Sequence, residues 1–422
     1  MGSNYMKRVI DDHLKGRMMS SGAVLIEGAK WCGKTRTAKE HAASAVYMQD
    51  PDNRENNMRM AKLKPSELLK GDTPRLIDEW QLAPILWDAV RFEVDNRSGA
   101  AGQFILTGSS TVPEEEIMHS GAGRISRILM RPMSLFESSE SDGSVSLGEL
   151  FDRSGDISGL SEMSLEDIAH CIVRGGWPES VGKDETVAVN RTQDYVSTIA
   201  QSDVSSVDGT RRNPKLIMDI LRSLSRNIST TAAMSTIRGD VAGAGSEVTE
   251  KTMASYVNAL RRLFVVEDVP AWNPAMRSKS ALRSSPKRNF VDPSIAATMF
   301  HSSSKGLMKD LPTMGFLFES LCIRDLRVYA QAIGGEIYHY RDRTDLEADA
   351  VIHLRDGRWA AVETKLGLGE IDGAARNLLR LKEKVDTDKM QTPSFLMVIT
   401  SFGNAYERED GVLVVPIGCL KN

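Results

Sequence analysis

Residues 28–35 have the sequence GAKWCGKT and match the pattern GxxxxGK[ST] at each of its fixed positions. The apolar residues 24–26 before this segment predict a strand, and residues 35–40 after it predict a helix. Glycines at such a junction let backbone N–H groups surround phosphate oxygens at a helix N-terminus, where the helix dipole favours anions. The segment therefore predicts an α/β domain that binds a nucleotide, against the alternative of a chance glycine-rich turn.

The residue types within this segment predict separate roles. Lys34 is suited to reach the β- and γ-phosphates, and the Thr35 hydroxyl is suited to bind Mg²⁺. We therefore expect ATP with Mg²⁺ as the cofactor. The predicted nucleotide contacts are Gly28, Ala29, Lys30, Trp31, Cys32, Gly33, Lys34, Thr35 and Arg36.

A second apolar run ends in two acids that suit ATP hydrolysis. Residues 75–80 have the sequence RLIDEW, which predicts a strand ending at Asp78 and Glu79. We expect Asp78 to hold the Mg²⁺ through water and Glu79 to polarise the attacking water. The alternative is a strand end with solvated carboxylates.

Two kinds of candidate partner for the γ-phosphate follow along the chain. Residues 104–110, FILTGSS, predict a strand after which Thr107 or Ser109 senses the γ-phosphate or orients water, although a simple Gly/Ser turn fits equally well. Further on, Arg124 or Arg127 is a candidate cation for the γ-phosphate. It would act either in cis or on a neighbouring subunit, and the second case requires a homo-oligomer.

The length of 422 residues predicts two to four domains, at roughly 100–200 residues per domain. Apolar runs alternate with helical stretches in the first 140 residues and in about the last 110, whereas the middle is mainly helical. The predicted boundaries are 1–140 for a P-loop ATPase core, 147–205 for a helical lid or linker, 206–300 for a winged-helix-like domain and 308–422 for a second α/β domain.

The winged-helix prediction depends on the order of elements in the middle of the chain. Residues 213–227 and 249–264 carry apolar residues at helical spacing, and residues 265–269 predict a strand. Helices followed by a strand pair and a basic loop are typical of a winged helix.

A basic stretch at 272–288 predicts contact with DNA phosphates, together with Lys251, Arg261 and Arg262. The stretch contains no acid, and its basic residues are Arg277, Lys279, Arg283, Lys287 and Arg288. The net charge of −4, from 53 Lys and Arg against 57 Asp and Glu, excludes a chain that is basic throughout but not a local patch. The alternative is a solvated surface that packs against protein.

Two predicted strands near the C-terminus, 347–354 and 359–365, carry acids that suit a divalent metal. Glu363 and Lys365 are two residues apart and share a face. A three-residue loop with a left-handed Gly357 pairs Asp349 with Glu363 on that face, whereas a two-residue loop would pair Asp349 with Thr364 instead. The glycine at the third loop position favours the first register.

Taken together, these motifs resemble prokaryotic AAA-type ATP-binding proteins whose C-terminal half is a domain of unknown function with a restriction-endonuclease-like end. The resemblance also includes the segments GR…RPMSLFE at 123–137 and RGGWPE at 174–179. It implies that Thr107 or Ser109 is the sensor and that Arg124 is the arginine contact.

The C-terminal pattern resembles that of PD-(D/E)xK nucleases, except that no proline precedes Asp349. That resemblance implies a second divalent metal held by Glu319, Asp349 and Glu363, with Lys365 beside it.

Three functions are compatible with this sequence. The first is an ATP-hydrolysing switch that rearranges its C-terminal modules, with DNA as a candidate partner. The second is an ATP-dependent, metal-dependent DNA nuclease. The third is a nucleotide-gated regulatory or protein-binding module with an inactive nuclease fold.

The cellular setting is predicted from cysteine and hydropathy patterns. The four cysteines lie far apart with no CxxC pair, which favours the reducing cytoplasm over a disulfide or zinc framework. No apolar run approaches the roughly 18 residues of a membrane helix, so we expect no membrane association.

Overall fold

The computed structural model describes residues 5–112, 117–154, 157–274, 285–386 and 390–422. The chain divides into two compact units, each built from more than one segment. The first unit comprises Met1–Pro132, Ser202–Arg211 and Asn258–Val265. The second unit comprises Met133–Gln201, Arg212–Val257 and Val266–Asn422.

The first unit contains a five-stranded parallel sheet in the order β2-β3-β4-β1-β5. Its strands are β1 (Ala23–Glu27), β2 (Ser44–Tyr47), β3 (Arg75–Asp78), β4 (Phe104–Gly108) and β5 (Ile125–Leu129). Its first four helices are α1 (Ile10–Ser20), α2 (Lys34–His41), α3 (Arg54–Leu63) and α4 (Ile85–Asn96).

Both faces of this sheet are buried at its three central strands, which explains why β1, β3 and β4 are mainly apolar rather than alternating. Leu25 and Leu106 belong to one hydrophobic cluster, together with Leu86 of α4. Their neighbours Val24 and Ile105 belong to a second cluster, which includes α1. Successive side chains of a strand point to opposite faces, so helices cover the sheet on both sides. The α/β class expected for this part of the chain is confirmed.

The second unit contains a mixed seven-stranded sheet in the order β7-β12-β13-β11-β10-β9-β8 and a separate pair, β14-β6. The remaining strands of the chain are β6 (Val145–Ser146), β7 (Gly159–Ser161), β8 (Gly335–Arg341), β9 (Glu347–Leu354), β10 (Trp359–Lys365), β11 (Leu396–Thr400), β12 (Gly403–Glu407), β13 (Val412–Pro416) and β14 (Leu420–Lys421). The remaining helices are α5 (Leu147–Asp152), α6 (Leu165–Arg174), α7 (Glu185–Thr198), α8 (Val204–Ser206), α9 (Pro214–Arg226), α10 (Met234–Gly243), α11 (Glu250–Arg262), α12 (Pro293–Met299), α13 (Ser304–Leu307), α14 (Leu311–Ala332) and α15 (Ile371–Lys384).

The hairpin of β9 and β10 has the register expected from its loop. Ala361 pairs with Val351 and Val362 with Ala350, so continuing the ladder places Glu363 opposite Asp349. Leu354 donates its N–H to Arg358 O, which leaves a three-residue loop with Gly357 at φ 90°. The preferred register is therefore confirmed.

The middle of the chain has the expected helices, but the strand expected at 265–269 forms only isolated bridges. Helices α9, α10 and α11 precede two antiparallel bridges, Val266 to Phe290 and Val269 to Lys287. This order does not by itself identify a winged helix, and that assignment stays a prediction, as do the four domain boundaries. None of the helices in the described ranges is long and apolar enough to cross a membrane.

Candidate active site

The loop between β1 and α2 has a backbone that requires glycine at its first position. Gly28 has φ 154°, and a Cβ added there would lie 2.1 Å from Met130 O. Gly33, with φ 102°, is the N-cap residue directly before α2, and no side chain among the described residues caps this end of the helix. The backbone N–H groups of the first turn of α2 therefore lack intrahelical partners and suit phosphate oxygens.

Lys34 lies inside this loop and is nearly inaccessible to solvent. Its Nζ donates to Gly28 O at 2.9 Å and to Ala29 O at 2.8 Å. Only 5% of the residue is exposed. A buried ammonium held by neutral carbonyls can exchange them for phosphate oxygens, which are stronger acceptors.

Asp78 connects the loop to the neighbouring strands. Its Oδ1 accepts from Thr35 Oγ1 at 2.7 Å and from Thr107 Oγ1 at 2.7 Å. The sheet order explains this contact, because β4 lies between β1 and β3 and carries Thr107 to the edge where both neighbours end. The structure thus brings together the residues expected to hold Mg²⁺, and one hydroxyl and one carboxylate are hard oxygen donors that fit this ion.

Glu79 is held in a strained position beside this group. Its φ is 55°, a left-handed conformation that is uncommon for a residue with a side chain, and its N–H donates to Thr107 Oγ1 at 3.1 Å. Ser109 Oγ donates to Glu79 Oε2 at 2.7 Å, and Gln81 Nε2 donates to the same oxygen. Backbone strain of this kind is concentrated at functional sites. The sequence analysis missed Gln81, which has no motif of its own.

Arg124 does not lie where a contact to a nucleotide in the same subunit requires it. Its backbone O accepts from Ala23 N, at the start of β1, whereas the phosphate loop follows the end of β1. Its Nε donates to Asp95 Oδ1 at 2.9 Å near the end of α4. The expectation of a cis contact is therefore wrong for Arg124, because it lies at the amino edge of a parallel sheet and the nucleotide site at the carboxyl edge.

The remaining residues of the loop have different surroundings. Lys30 Nζ pairs with Asp203 Oδ1 at 2.7 Å, and Asp203 ends a π-helical turn, Ile199–Asp203. Trp31 is 50% exposed, whereas Cys32 is buried and its Sγ donates to Met130 O at 3.4 Å. Arg36 pairs with Glu40 on the surface of α2. Asp203 was missed because no local pattern links it to a loop 173 residues earlier.

The predicted second metal site is not formed. Lys287 Nζ lies between Glu319 Oε1 at 2.6 Å and Asp349 Oδ1 at 3.0 Å, and Lys365 Nζ pairs with Glu363 Oε2 at 2.8 Å. Within the described part of the chain, no three His, Cys, Asp or Glu residues are placed to hold a metal ion. The expectation of a metal held by these acids is therefore not supported, because an ammonium group already contacts each of the three.

The basic residues expected to contact DNA fall into three groups. Lys287 and Arg288 are buried in ion pairs, Arg288 with Asp268 at 2.8 Å, and Arg262 donates to Thr111 O. Burial makes Lys287 and Arg288 unavailable to DNA, whereas the Arg262 side chain is 26% exposed. Arg277, Lys279 and Arg283 lie outside the described residues.

The exposed Lys251 and Arg261 are ten residues apart on α11, which separates them by about 80° around the helix and about 15 Å along it. DNA contact stays a prediction.

The geometry around residues 28–35, 78 and 107 defines a P-loop nucleotide-binding site. The family comparison agrees: residues 20–139 match a family described as AAA domain. Residues 165–306 and 314–420 match two families described as domains of unknown function, DUF8612 and DUF4143. The first part of the chain thus matches an AAA domain and carries a P-loop site, and the later parts receive no function from these matches.

Three solved structures show a weaker likeness to this chain. A Walker-type ATPase of Pyrococcus abyssi is 14% identical with a TM-score of 0.44, over 70% of this chain and 96% of that one. A point variant of RuvB from Thermotoga maritima is 15% identical with a TM-score of 0.28, over 62% and 87%. Drosophila ORC bound to DNA is 13% identical with a TM-score of 0.17, over 69% and 84%. These scores are low and carry no argument about this chain. A comparison with curated proteins gives no match.

Proposed function

We propose that this protein binds and hydrolyses ATP with Mg²⁺ and uses the cycle to switch its C-terminal modules. The observation that carries the proposal is the shared acceptor Asp78 Oδ1, which joins Thr35 of the phosphate loop to Thr107 of the adjacent strand. Lys34 directly precedes Thr35 and Glu79 directly follows Asp78. A cation for phosphate and a base for water are therefore next to this hydrogen-bonded pair in the chain.

Each residue of the site has a step that its position permits. Lys34 would exchange the carbonyls of Gly28 and Ala29 for the β- and γ-phosphates, and Thr35 and Asp78 would hold the Mg²⁺, which would neutralise phosphate charge. Glu79 accepts a proton from the attacking water. Thr107 and Ser109 orient Asp78 and Glu79 through the hydrogen bonds already described.

The switch part of the proposal rests on how the first unit is composed. It includes Ser202–Arg211, a segment that comes from the middle of the chain. Asp203 of that segment bonds directly to Lys30 of the phosphate loop. A change in the loop on nucleotide binding therefore acts on a segment that continues, on both sides, into the second unit.

A role for Arg124 in this proposal requires a second copy of the chain. Its side chain is 47% exposed, and its partner Asp95 is 36% exposed. An exposed surface ion pair is worth little, so exchanging Asp95 for a phosphate of a neighbouring subunit costs little. We therefore propose that Arg124 acts in trans, in a homo-oligomer.

Lys34→Ala is expected to weaken ATP binding by about 10- to 100-fold, because each charge-assisted hydrogen bond to phosphate contributes about 1.5–3 kcal/mol. Fluorescent ATP-analogue titration measures this affinity. Lys39→Ala, on the same helix with its ammonium over the Tyr47 ring, is the matched control and is expected to bind normally. Wild-type affinity in Lys34→Ala would show that the site assignment is wrong.

DNA is proposed as the partner of the C-terminal modules on sequence grounds alone. If it is the partner, duplex DNA is expected to change the ATPase rate at least about twofold at low salt, with the effect shrinking as salt rises, because phosphate contacts release counterions. Steady-state hydrolysis with and without DNA measures this. An unchanged rate at every salt concentration rejects DNA and leaves the ATPase assignment intact.

A further inference from the structure

The C-terminal unit contains a buried group of acids, the carboxylate cluster, formed by Glu319, Asp349 and Glu363. All three are at most 9% exposed. Burying an ionised carboxylate is costly unless a partner compensates it. A nuclease-like arrangement would use a divalent metal for this purpose, so the identity of the compensating cation decides what the cluster can do.

The cation that the structure places there is the side chain of Lys287. Its Nζ lies 2.6 Å from Glu319 Oε1 and 3.0 Å from Asp349 Oδ1, and the residue is 6% exposed. These are ammonium–carboxylate distances, whereas Mg²⁺ requires oxygens at about 2.1 Å. Burial alone would lower the pKa of Lys287, but the two carboxylates raise it, so the ammonium stays charged.

The backbone fixes Lys287 in this position. Lys287 N donates to Val269 O at 2.9 Å, and Val269 N donates to Lys287 O at 2.8 Å. Asp349 is fixed as well, because its Oδ2 accepts from the N–H of Thr364 at 2.9 Å and from its hydroxyl at 3.1 Å. The backbone of Lys287 is thus fixed by an antiparallel bridge, and its ammonium is held among the acids rather than exposed at the surface.

The charges of the cluster are nearly but not fully balanced. Its three carboxylates face two ammonium groups, Lys287 and Lys365. Among described residues, Glu363 Oε1 has no hydrogen-bond partner although it is buried. Burial and the nearby Asp349 raise the pKa of Glu363 to about 7, which reduces the remaining charge. The cluster therefore depends on Lys287, because this ammonium contacts both Glu319 and Asp349.

We propose that the Lys287 ammonium is the resident cation of the carboxylate cluster and keeps divalent metals out of it. An ammonium neutralises carboxylates as a metal does, but it cannot act as a Lewis acid or generate hydroxide from bound water. The cluster is then a structural element without hydrolytic chemistry, which agrees with the third function considered above. This inference concerns the second unit and does not rest on the proposed ATPase.

The test measures Mn²⁺ binding by the full chain without nucleotide, using the electron paramagnetic resonance signal of free Mn²⁺. Wild type and Asp349→Asn are expected to bind the same amount, because the cluster takes none. Lys287→Ala is expected to bind one additional Mn²⁺ per chain, and Lys287→Ala/Asp349→Asn is expected to lose it. Lys305→Ala, at an exposed lysine, is the control and is expected to match wild type.

Thermal unfolding provides a second measurement. Lys287→Ala is expected to unfold about 10 °C below wild type without metal and to recover partly in Mn²⁺, because one partner of a buried ion pair is removed. Lys287→Ala/Glu319→Gln, which removes the ammonium together with the carboxyl group closest to it, is expected to unfold closer to wild type. This variant keeps the proposal testable if Lys287→Ala does not fold.

Three results would overturn the proposal. One is a Mn²⁺ ion bound to wild type and lost in Asp349→Asn, since a metal would then displace or accompany the lysine. Another is a folded Lys287→Ala that is as stable as wild type and gains no Mn²⁺. The third is a double variant with Glu319→Gln that is no more stable than Lys287→Ala.

Discussion

Glu79→Gln is expected to lower the rate constant for ATP hydrolysis by about 1,000-fold while changing ATP affinity less than about threefold. The amide keeps the shape of the side chain and can still accept from Ser109, so the local fold is retained. It cannot accept a proton from water, and a positioned general base contributes typically 10²- to 10⁴-fold. Single-turnover hydrolysis and analogue titration separate the two effects.

The matched control for this variant is Glu93→Gln. It makes the same chemical change on α4 of the same unit, where Glu93 pairs with Arg97 at 2.8 Å. Both rate and affinity are expected to stay within about twofold of wild type, because a surface ion pair of this kind contributes little. If Glu79→Gln keeps more than about a tenth of the wild-type rate, Glu79 is not the base, and the shared acceptor Asp78 becomes the next candidate.

Gln81 offers a finer version of the same test. Gln81→Ala removes one of the two groups that hold Glu79 Oε2 but leaves Ser109 in place. Two contributions of Glu79 can therefore be measured separately. Glu79→Gln removes the basicity of the side chain, whereas Gln81→Ala weakens its orientation. A group that acts through another residue is expected to have the smaller effect on hydrolysis.

The parts of the site that were predictable from sequence are those fixed by neighbouring residues. The phosphate loop is one continuous segment, and the pairing of Asp349 with Glu363 follows from the three-residue loop and left-handed Gly357. In both cases, local backbone geometry determines where side chains go. Predicting the contact between Asp78 and Thr107 also required the order of the strands. The expectation of a parallel sheet did not determine that β3 and β4 are neighbours.

The parts that could not be predicted depend on contacts between distant segments. Lys287 was predicted to contact DNA phosphates because it belongs to the basic stretch 272–288, yet its ammonium contacts carboxylates 32 and 62 residues later in the chain. Arg124 was named as a γ-phosphate contact because the resemblance implied it, and no local pattern indicated that it precedes β5 at the amino edge of the sheet. Charge patterns specify that a residue needs a partner, but only the tertiary fold specifies whether solvent, phosphate or a buried acid provides it.

The segment RGGWPE at 174–179 shows how the fold explains a motif without catalytic chemistry. Gly176 N donates to Asp292 Oδ2 at 2.9 Å, and its O accepts from Met133 N at 2.6 Å. Trp177 Nε1 donates to Ser294 Oγ at 2.9 Å. The turn is therefore joined through backbone and side chain to the start of α12, and its close approach to Met133 leaves no room for a larger residue at position 176.

Gly176→Ala is accordingly expected to lower the free energy of unfolding of the second unit by about 3 kcal/mol. An added Cβ would lie 2.1 Å from Met133 O and 2.8 Å from Met133 N, both backbone atoms that cannot rotate away. Overpacking of a closely packed interior typically costs about 1–3 kcal/mol, and displacement of backbone places this site at the upper end. Urea unfolding followed by tryptophan fluorescence and circular dichroism measures the change.

Gly239→Ala is the matched control, because a Cβ there meets no atom within 4 Å and the residue lies within α10. It is expected to raise stability by about 0.5–1 kcal/mol, since alanine loses less backbone entropy in a helix. The same substitution thus has opposite signs at two glycines of one unit. If Gly176→Ala unfolds within about 0.5 kcal/mol of wild type, the turn can move away from Met133, and close packing is not the reason for glycine at this position.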